Sequence, residues 1–140
     1  MPGAAGYQLS NPSILDLTAL LSSLSLYSNA TMAAIRTKSI RMTGYLDYLL
    51  HSQFESYDPK PFEVITPQNP AARGAQLSLL FREGLMMQAF DGLQERGIIV
   101  DERKPDVIRV APLPLYNTFE EVWDFVQALK EVIDVTSNRG

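Results

Sequence analysis

The chain has 140 residues, of which 46% are hydrophobic and 20% charged, and these values are typical of one globular domain with its own core rather than of a disordered chain. Its formal net charge is −4 and its lysines and arginines form no cluster, which disfavours a nucleic-acid or acidic-membrane partner. The absence of cysteine excludes disulfides, thiolate catalysis and cysteine zinc sites, and a single histidine cannot form a histidine metal cluster.

Two helices are predicted in the first half of the chain. Asn11 followed by Pro12 is typical of a helix start, with Asn11 as the N-cap and Pro12 at the first helical position. The apolar residues that follow at helical spacing predict a core-facing stripe of Ile14, Leu17, Leu20, Leu21 and Leu24. The second helix is predicted over residues 31–53, with Ile35, Met42, Leu46, Leu49 and Leu50 inward and with Arg36, Lys38 and Arg41 on a solvated face.

Strands and shorter helices are predicted in the second half. Residues 62–66, 77–81, 98–101 and 107–110 have the apolar, β-branched composition of strands, and residues 85–96 form a helix that Gly97 closes. Thr118 and Glu121 form a capping box for the last helix. The stripe predicted to pack that helix in the core is Phe119, Val122, Trp123, Val126, Leu129 and Ile133. This order of elements predicts an α+β fold in which helices pack on a small, mostly antiparallel sheet.

The sequence contains none of the common catalytic motifs and no segment typical of a membrane-spanning helix. The sequence contains no glycine-rich phosphate loop, GxSxG elbow, HExxH helix or EF-hand loop. No apolar run approaches the roughly 20 residues of a membrane span, and no basic segment followed by an apolar one is found at the N-terminus. We therefore expect a cytoplasmic protein without membrane contact and without a metal site.

The first candidate binding residue is Arg109, in the predicted strand over residues 107–110. Because side chains alternate along a strand, Ile108 and Val110 are expected to face the core and Arg109 to face open space on the other side. A planar guanidinium held in this way suits a carboxylate, which it can bind with two charge-assisted hydrogen bonds. The competing interpretation is a surface charge or a structural ion pair.

The second candidate is the start of the first helix. Its free backbone N–H groups, together with the side chains of Ser10 and Asn11, could hold an anion such as a phosphate. Alternatively, Asn11 only caps the helix. Arg73 and Gly74, which precede a strand, are interpreted as structural.

Five blocks of sequence, in order, resemble the C-terminal part of eukaryotic, fungal-type kynureninases. They are residues 6–12 (GYQLSNP), 43–46 (TGYL), 65–67 (ITP), 73–78 (RGAQLS) and 106–117 (DVIRVAPLPLYN). The resemblance implies the small C-terminal domain of the aspartate-aminotransferase (fold-type I) architecture over residues 12–140, preceded by a lead-in segment from a large domain over residues 1–11. It also implies a homodimeric pyridoxal-phosphate enzyme that hydrolyses kynurenine or 3-hydroxykynurenine to anthranilate or 3-hydroxyanthranilate and alanine, in tryptophan catabolism and de novo NAD biosynthesis.

The resemblance also implies roles for the candidate residues. Arg109 matches the family's arginine that binds the substrate α-carboxylate. Asn11 matches an asparagine that reaches the cofactor phosphate across the dimer, and Ser10 lies beside it at the substrate. The family's Schiff-base lysine lies in the large domain upstream, so the chain alone is expected to hold no catalytic residue and to be inactive. The alternatives are a non-catalytic binding or regulatory module, and the small domain of another fold-type I enzyme such as a desulfurase or an aminotransferase.

Overall fold

The structure, a computed structural model, describes residues 2–7 and 10–137. The helices are α1 (Ile14–Tyr27), α2 (Met32–Gln53), α3 (Leu85–Glu95) and α4 (Phe119–Ser137). The strands are β1 (Phe62–Val64), β2 (Leu77–Phe81), β3 (Asp101–Arg103) and β4 (Val107–Val110). Two short 3-10 turns, Ala4–Tyr7 and Pro70–Ala72, complete the regular structure of the described residues. This order confirms the predicted succession of helices and strands.

The chain divides into two compact units, Met1–Ala34 and Ile35–Gly140. The first contains α1, and the second contains the sheet, α3 and α4. Residues 8 and 9 of the GYQLSNP block lie outside the described residues. The domain boundary predicted after residue 11 stays a prediction.

The sheet of the second unit has four antiparallel strands in the order β1-β2-β4-β3. β4 is therefore an inner strand, with Leu79 of β2 opposite Ile108. Ile108 and Val110 are buried, whereas Arg109 is only partly buried, so the predicted alternation along β4 is confirmed. This alternation follows from the pleat, which sends successive side chains to opposite faces.

The core lies on one face of this sheet, beneath helices of the same unit. The burial of each leucine-sized side chain contributes about 1.5–3 kcal/mol to the free energy of unfolding. The helical side chains that fill the core are Met42, Leu46, Leu49 and Leu50 of α2, Met86, Ala89 and Leu93 of α3, and Val122, Phe125, Val126, Leu129 and Ile133 of α4. None of the helices in the described part of the chain combines the length and the apolar character that crossing a lipid bilayer requires.

The start of α1 differs from the prediction. The N-cap is Ser13 and not Asn11, and the Ser13 side chain accepts a hydrogen bond of 3.4 Å from the backbone N–H of Asp16. Serine caps as well as asparagine, and starting here places Asp16 at the third helical position, where its negative charge suits the helix dipole. Pro12 therefore precedes the helix, and Asn11 does not cap it.

The apolar stripe of α1 was predicted to be core, and this is wrong. The least exposed of its five members, Leu17, is still 45% exposed, and no residue of α1 is buried. Within residues 2–7 and 10–34, the other regular structure is one short 3-10 turn and the first three residues of α2, so the described part of this unit has no second complete helix and no sheet that could cover the stripe.

Two cations of α2 are also not on a solvated face. Arg36 donates through Nη2 to the carbonyl oxygens of Pro70 and Arg73, the latter at 2.9 Å. Lys38 donates through Nζ to the carbonyl oxygens of Pro114 and Asn117, at 2.6 and 2.9 Å. Proline-rich loops leave carbonyls outside the sheet ladder, and long cationic side chains can satisfy them. Arg41 is exposed as predicted.

The third strand begins later than predicted. Gly97 has a φ of +74°, and the N–H of Ile98 donates to the Leu93 carbonyl at 3.0 Å, which is the pattern of a Schellman motif. Because this motif uses Gly97 and Ile98 to end α3, residues 98–100 form a link and β3 starts at Asp101.

The core role predicted for Trp123 is wrong. Its side chain is 41% exposed, and Phe119 is 43% exposed. The buried side of α4 instead includes Phe125 and Val132, which lie at helical spacing from Val122. Trp123 therefore lies beside the buried stripe and not within it.

Candidate carboxylate-binding site

Arg109 projects from the inner strand β4, on the face opposite the core. Its neighbours across the sheet are Ser78 of β2 and Asp101 of β3, each directly opposite it in register. The side chain of Arg109 is 33% exposed. Because β4 is hydrogen-bonded to a strand on each side, the position of the Arg109 Cα–Cβ bond is fixed.

Arg109 forms an ion pair with Asp101. Its Nε donates to Oδ2 of Asp101 at 2.8 Å, and its Nη2 contacts the same oxygen. The prediction that Arg109 faces open space is therefore wrong on the side where Asp101 lies. Alternation along β4 predicts on which face Arg109 lies, but only the register of β3 decides that a carboxylate lies opposite.

Arg109 is one of the residues that line a cleft of about 560 Å³. Its walls come from the α3–β3 link, the end of β4, the start of α4 and Leu46 of α2. Asp101 does not line the cleft, and within the described residues nothing accepts a hydrogen bond from Nη1 of Arg109. Arg109 thus pairs with a protein carboxylate and also belongs to the lining of a cleft.

The loop after β4, which carries the Pro-Leu-Pro-Leu-Tyr-Asn part of the fifth block, is fixed by hydrogen bonds. Lys38 bonds to the carbonyls of Pro114 and Asn117, and the Asn117 side chain accepts from the backbone N–H of Leu113 at 2.8 Å. Sequence reasoning missed this role of Lys38. The two prolines of the loop were the available signal, since they leave carbonyls that need a donor from elsewhere.

The capping box at the start of α4 is confirmed, and it lies at the cleft. The N–H of Thr118 donates to Oε2 of Glu121 at 2.7 Å, and the N–H of Glu121 donates to Oγ1 of Thr118 at 3.1 Å. The backbone hydrogen bond from Thr118, followed by the side-chain bond from Asn117, lowers the pKa of the Glu121 carboxyl. Glu121 thus stays ionised and engaged at the helix start, which does not suit a general base.

Four charged residues are among those that line the cleft: Arg96, Arg109, Glu121 and Asp124. Arg96 donates to the Gly92 carbonyl at 2.9 Å and lies 3.6 Å from Glu131, so it is partly engaged on α3 and α4. Arg96 and Arg109 are therefore the two cations of the cleft, and each is already partly engaged by the protein. Apolar residues of the same walls, such as Ile99 and Phe125, could contact an uncharged part of a ligand.

Ser10 and Asn11 lie in the unit Met1–Ala34, and both are exposed. Neither caps α1, because Ser13 takes that position. Arg109 lies in the unit Ile35–Gly140, so each candidate site is described within its own unit. The binding roles of Ser10, Asn11 and Arg109 remain predictions.

Arg73, interpreted as structural, is 3% exposed and forms an ion pair with Asp47 of α2 at 3.2 Å. It also donates to the Pro67 carbonyl at 3.3 Å, so it fixes the loop between β1 and β2. This placement agrees with the structural interpretation.

Comparison with known proteins gives a family match and close relatives. Residues 35–129 match the family model described as the kynureninase C-terminal domain. The chain is 60% identical over 128 residues to the kynureninase of Coccidioides immitis, covering 90% of the chain and 27% of that protein. It is 56% identical over 129 residues to kynureninase 1 of Emericella nidulans, covering 92% of the chain and 26% of that protein. The chain thus spans about a quarter of the length of these curated relatives.

Among solved structures, N-acetylornithine aminotransferase from Stenotrophomonas maltophilia has a similar fold. The TM-score is 0.69 at 21% sequence identity, covering 94% of the chain and 36% of the aminotransferase chain. This likeness shows the fold, an α+β arrangement of the aminotransferase (fold-type I) class. The order of elements predicted the α+β class, and the family resemblance implied the fold-type I architecture.

Proposed function

Because the chain belongs to the kynureninase C-terminal domain family, we propose that it provides substrate-carboxylate recognition in a kynureninase. The reaction would be hydrolysis of kynurenine or 3-hydroxykynurenine to anthranilate or 3-hydroxyanthranilate and alanine, by a homodimeric cytoplasmic enzyme. The observation that carries the proposal is the position of Arg109, which is one of the residues that line the cleft and whose Nη1 has no acceptor among the described residues. Relatives named kynureninase at 50–60% identity support it.

Arg109 suits the α-carboxylate of an amino acid for electrostatic and geometric reasons. Its planar fork can donate two parallel bonds to one carboxylate, and hydrogen bonds to charged groups contribute about 1.5–3 kcal/mol each. Its attachment to an inner strand limits how far the guanidinium can move. The carboxylate would thus be held at one end of the cleft, which orients the rest of the substrate.

Pyridoxal phosphate, which the family implies, would supply the electron sink for the bond cleavage when bound. The residues of this chain do not fit its covalent attachment. None of the four lysines of the sequence lines the Arg109 cleft, Lys38 is bonded to two carbonyls, and Lys130 donates to Gln53 at 3.3 Å. We therefore derive no step through the cofactor and propose that the chain alone is inactive. Within the same proposal, Asn11 would reach a cofactor phosphate and Ser10 a substrate, across a dimer.

The role of Arg109 can be tested in a hybrid enzyme, in which this chain replaces the aligned quarter of the Coccidioides immitis kynureninase. Arg109→Lys keeps the charge but loses the bidentate fork. We expect the KM for L-kynurenine to rise about 100-fold, because losing about 3 kcal/mol of carboxylate binding corresponds to two factors of ten.

The matched control is Arg103→Lys, since Arg103 contacts the same Asp101 but does not line the cleft. We expect its KM to equal that of the unmodified hybrid. An unchanged KM in the Arg109→Lys hybrid would contradict the proposed role.

The inactivity of the chain alone is tested by titrating it with pyridoxal phosphate, followed by visible absorbance, beside a kynurenine turnover assay. We expect neither an internal-aldimine band nor turnover. A protein-bound band with turnover would show that one of the four lysines performs the chemistry.

A further inference from the structure

Asp101 and Arg109 lie directly opposite each other in the antiparallel pair β3–β4, so their side chains are on the same face of the sheet. Oδ2 of Asp101 accepts from Nε of Arg109 at 2.8 Å and also contacts Nη2. A guanidinium is planar, so holding its Nε edge determines the plane and direction of its remaining donors.

Arg109 contacts the carboxylate of Asp101 and is also part of the cleft lining. Arg109 lines the cleft, whereas Asp101 does not. In the described residues, Nη1 of Arg109 has no acceptor. Asp101 therefore occupies the Nε–Nη2 edge of the guanidinium and leaves the Nη1 donors for a ligand.

A second arginine keeps the local charge positive. Nη2 of Arg103, two residues along β3, lies 3.0 Å from the same oxygen of Asp101. One carboxylate thus faces two guanidinium groups, and the three side chains together carry one positive charge. Asp101 can orient Arg109 without cancelling the attraction of this site for an anion.

We propose that Asp101 is the positioning residue of Arg109: its Oδ2 holds the Nε edge of the guanidinium so that the other donors meet a substrate carboxylate in the cleft. This inference rests on the proposed function of Arg109. Its physical basis is pre-organisation, because a long side chain that is already ordered loses less rotamer freedom when a ligand binds. Asp101 touches Arg109 and acts through it.

The kinetic test uses the hybrid enzyme defined above, with Asp101→Asn, which has nearly the same shape but no charge. We expect the KM for L-kynurenine to rise about tenfold at unchanged kcat, since displacing a binding group by about 1 Å can cost up to ~100-fold. Asp101→Glu, which restores the charge, is expected to recover part of the loss. Arg41→Lys, at an exposed arginine of α2 that does not line the cleft, is the control and should leave KM unchanged.

A second measurement reports on positioning without any need for turnover. In the 140-residue chain, ¹⁵N relaxation of the Arg109 Nε–H group is expected to report an ordered side chain. Asp101→Asn is expected to lower its order parameter below about 0.6, the flexible range. The Nε–H groups of other arginines, such as Arg36, should not change.

An unchanged order parameter in Asp101→Asn would overturn the proposal. A KM that stays the same or falls would also overturn it, and a fall would identify Asp101 as a competitor for the guanidinium. If Arg109→Lys leaves KM unchanged while Asp101→Asn still frees the Nε–H group, the proposed function fails and the positioning contact stands.

Discussion

The sequence left two interpretations of Arg109 as alternatives, a carboxylate-binding residue and a surface charge or structural ion pair, and the structure shows features of both. It forms an ion pair with Asp101, and it also lines a cleft. Both partners are substantially exposed, at 33% and 44%, and exposed pairs contribute only about 0–1 kcal/mol to stability. The contact is therefore better explained by the orientation of the guanidinium than by stabilisation of the fold.

Tyr57 makes a different polar contact, in the segment between α2 and β1. Its hydroxyl donates to Oδ1 of Asp134 on α4. Burial, followed by the hydrogen bond to Asp134 and the charge of Asp134, raises the pKa of Tyr57 from 10.0 to about 12. The folded chain therefore keeps this proton in a pH range in which the unfolded chain has lost it.

This pKa shift predicts a loss of stability at high pH. Between pH 10 and about 12 the folded state binds more protons than the unfolded state, so the free energy of unfolding falls as pH rises. Tyr57→Phe should remove this part of the slope, measured by urea unfolding across the same range. Tyr48→Phe, at a side chain that is 66% exposed, is the control and should keep the slope. An equal slope in wild type and Tyr57→Phe would contradict the assignment.

At the scale of elements, Gly92 of α3 packs closely against Val132 of α4. A Cβ atom there would lie 2.7 Å from Cγ1 and 2.9 Å from Cγ2 of Val132. Val132 is buried, so its methyl groups have little room to move. The glycine is thus required by packing between two helices, although it lowers the helix propensity of α3.

We expect Gly92→Ala to destabilise the chain by about 1–3 kcal/mol, as overpacking of a core does. Gly44→Ala in α2 is the matched control, because nothing lies within 4 Å of the added Cβ, and it should stabilise by up to about 1 kcal/mol. Urea unfolding of both variants measures the difference.

A double variant separates overpacking from other effects. Val132→Ala removes the two methyl groups that the added Cβ would meet. In the Val132→Ala background, Gly92→Ala should therefore cost less than in wild type. Additive losses would show that contact with Val132 is not the cause.

At the scale of the whole molecule, α1 presents an apolar surface. Leu17, Leu21 and Leu24 lie on one side of the helix at helical spacing, and they are 45%, 69% and 54% exposed. Contiguous exposed apolar surface of this kind promotes association. The stripe was predicted to be core because its apolar residues recur with the period of a buried helix. This periodicity shows that one side of the helix is suited to burial, but it does not identify the surface that covers it.

We expect the purified chain to self-associate, so that its sedimentation coefficient rises with concentration. Replacing Leu17, Leu21 and Leu24 by Gln should reduce this dependence. Met87→Gln, at a 39% exposed site on α3, is the control and should leave it unchanged. A chain that sediments as a monomer at every concentration would refute the expectation.

Much of the fold was predictable from local signals. The order of elements, the bounds of β2, the capping box at Thr118 and the alternation along β4 follow from spacing and turn chemistry. The five sequence blocks identified the family that the comparison then confirmed. These features depend on residues that are near one another in sequence.

What the sequence by itself determined was therefore the class of fold, the family and Arg109 as the candidate anion-binding side chain. Only the tertiary structure decided that Asp101 lies opposite Arg109, that Lys38 holds the loop after β4, and that the stripe of α1 is exposed. The physical reason is that these contacts join residues on different elements. Strand register and helix packing, which no local pattern encodes, set which side chains meet.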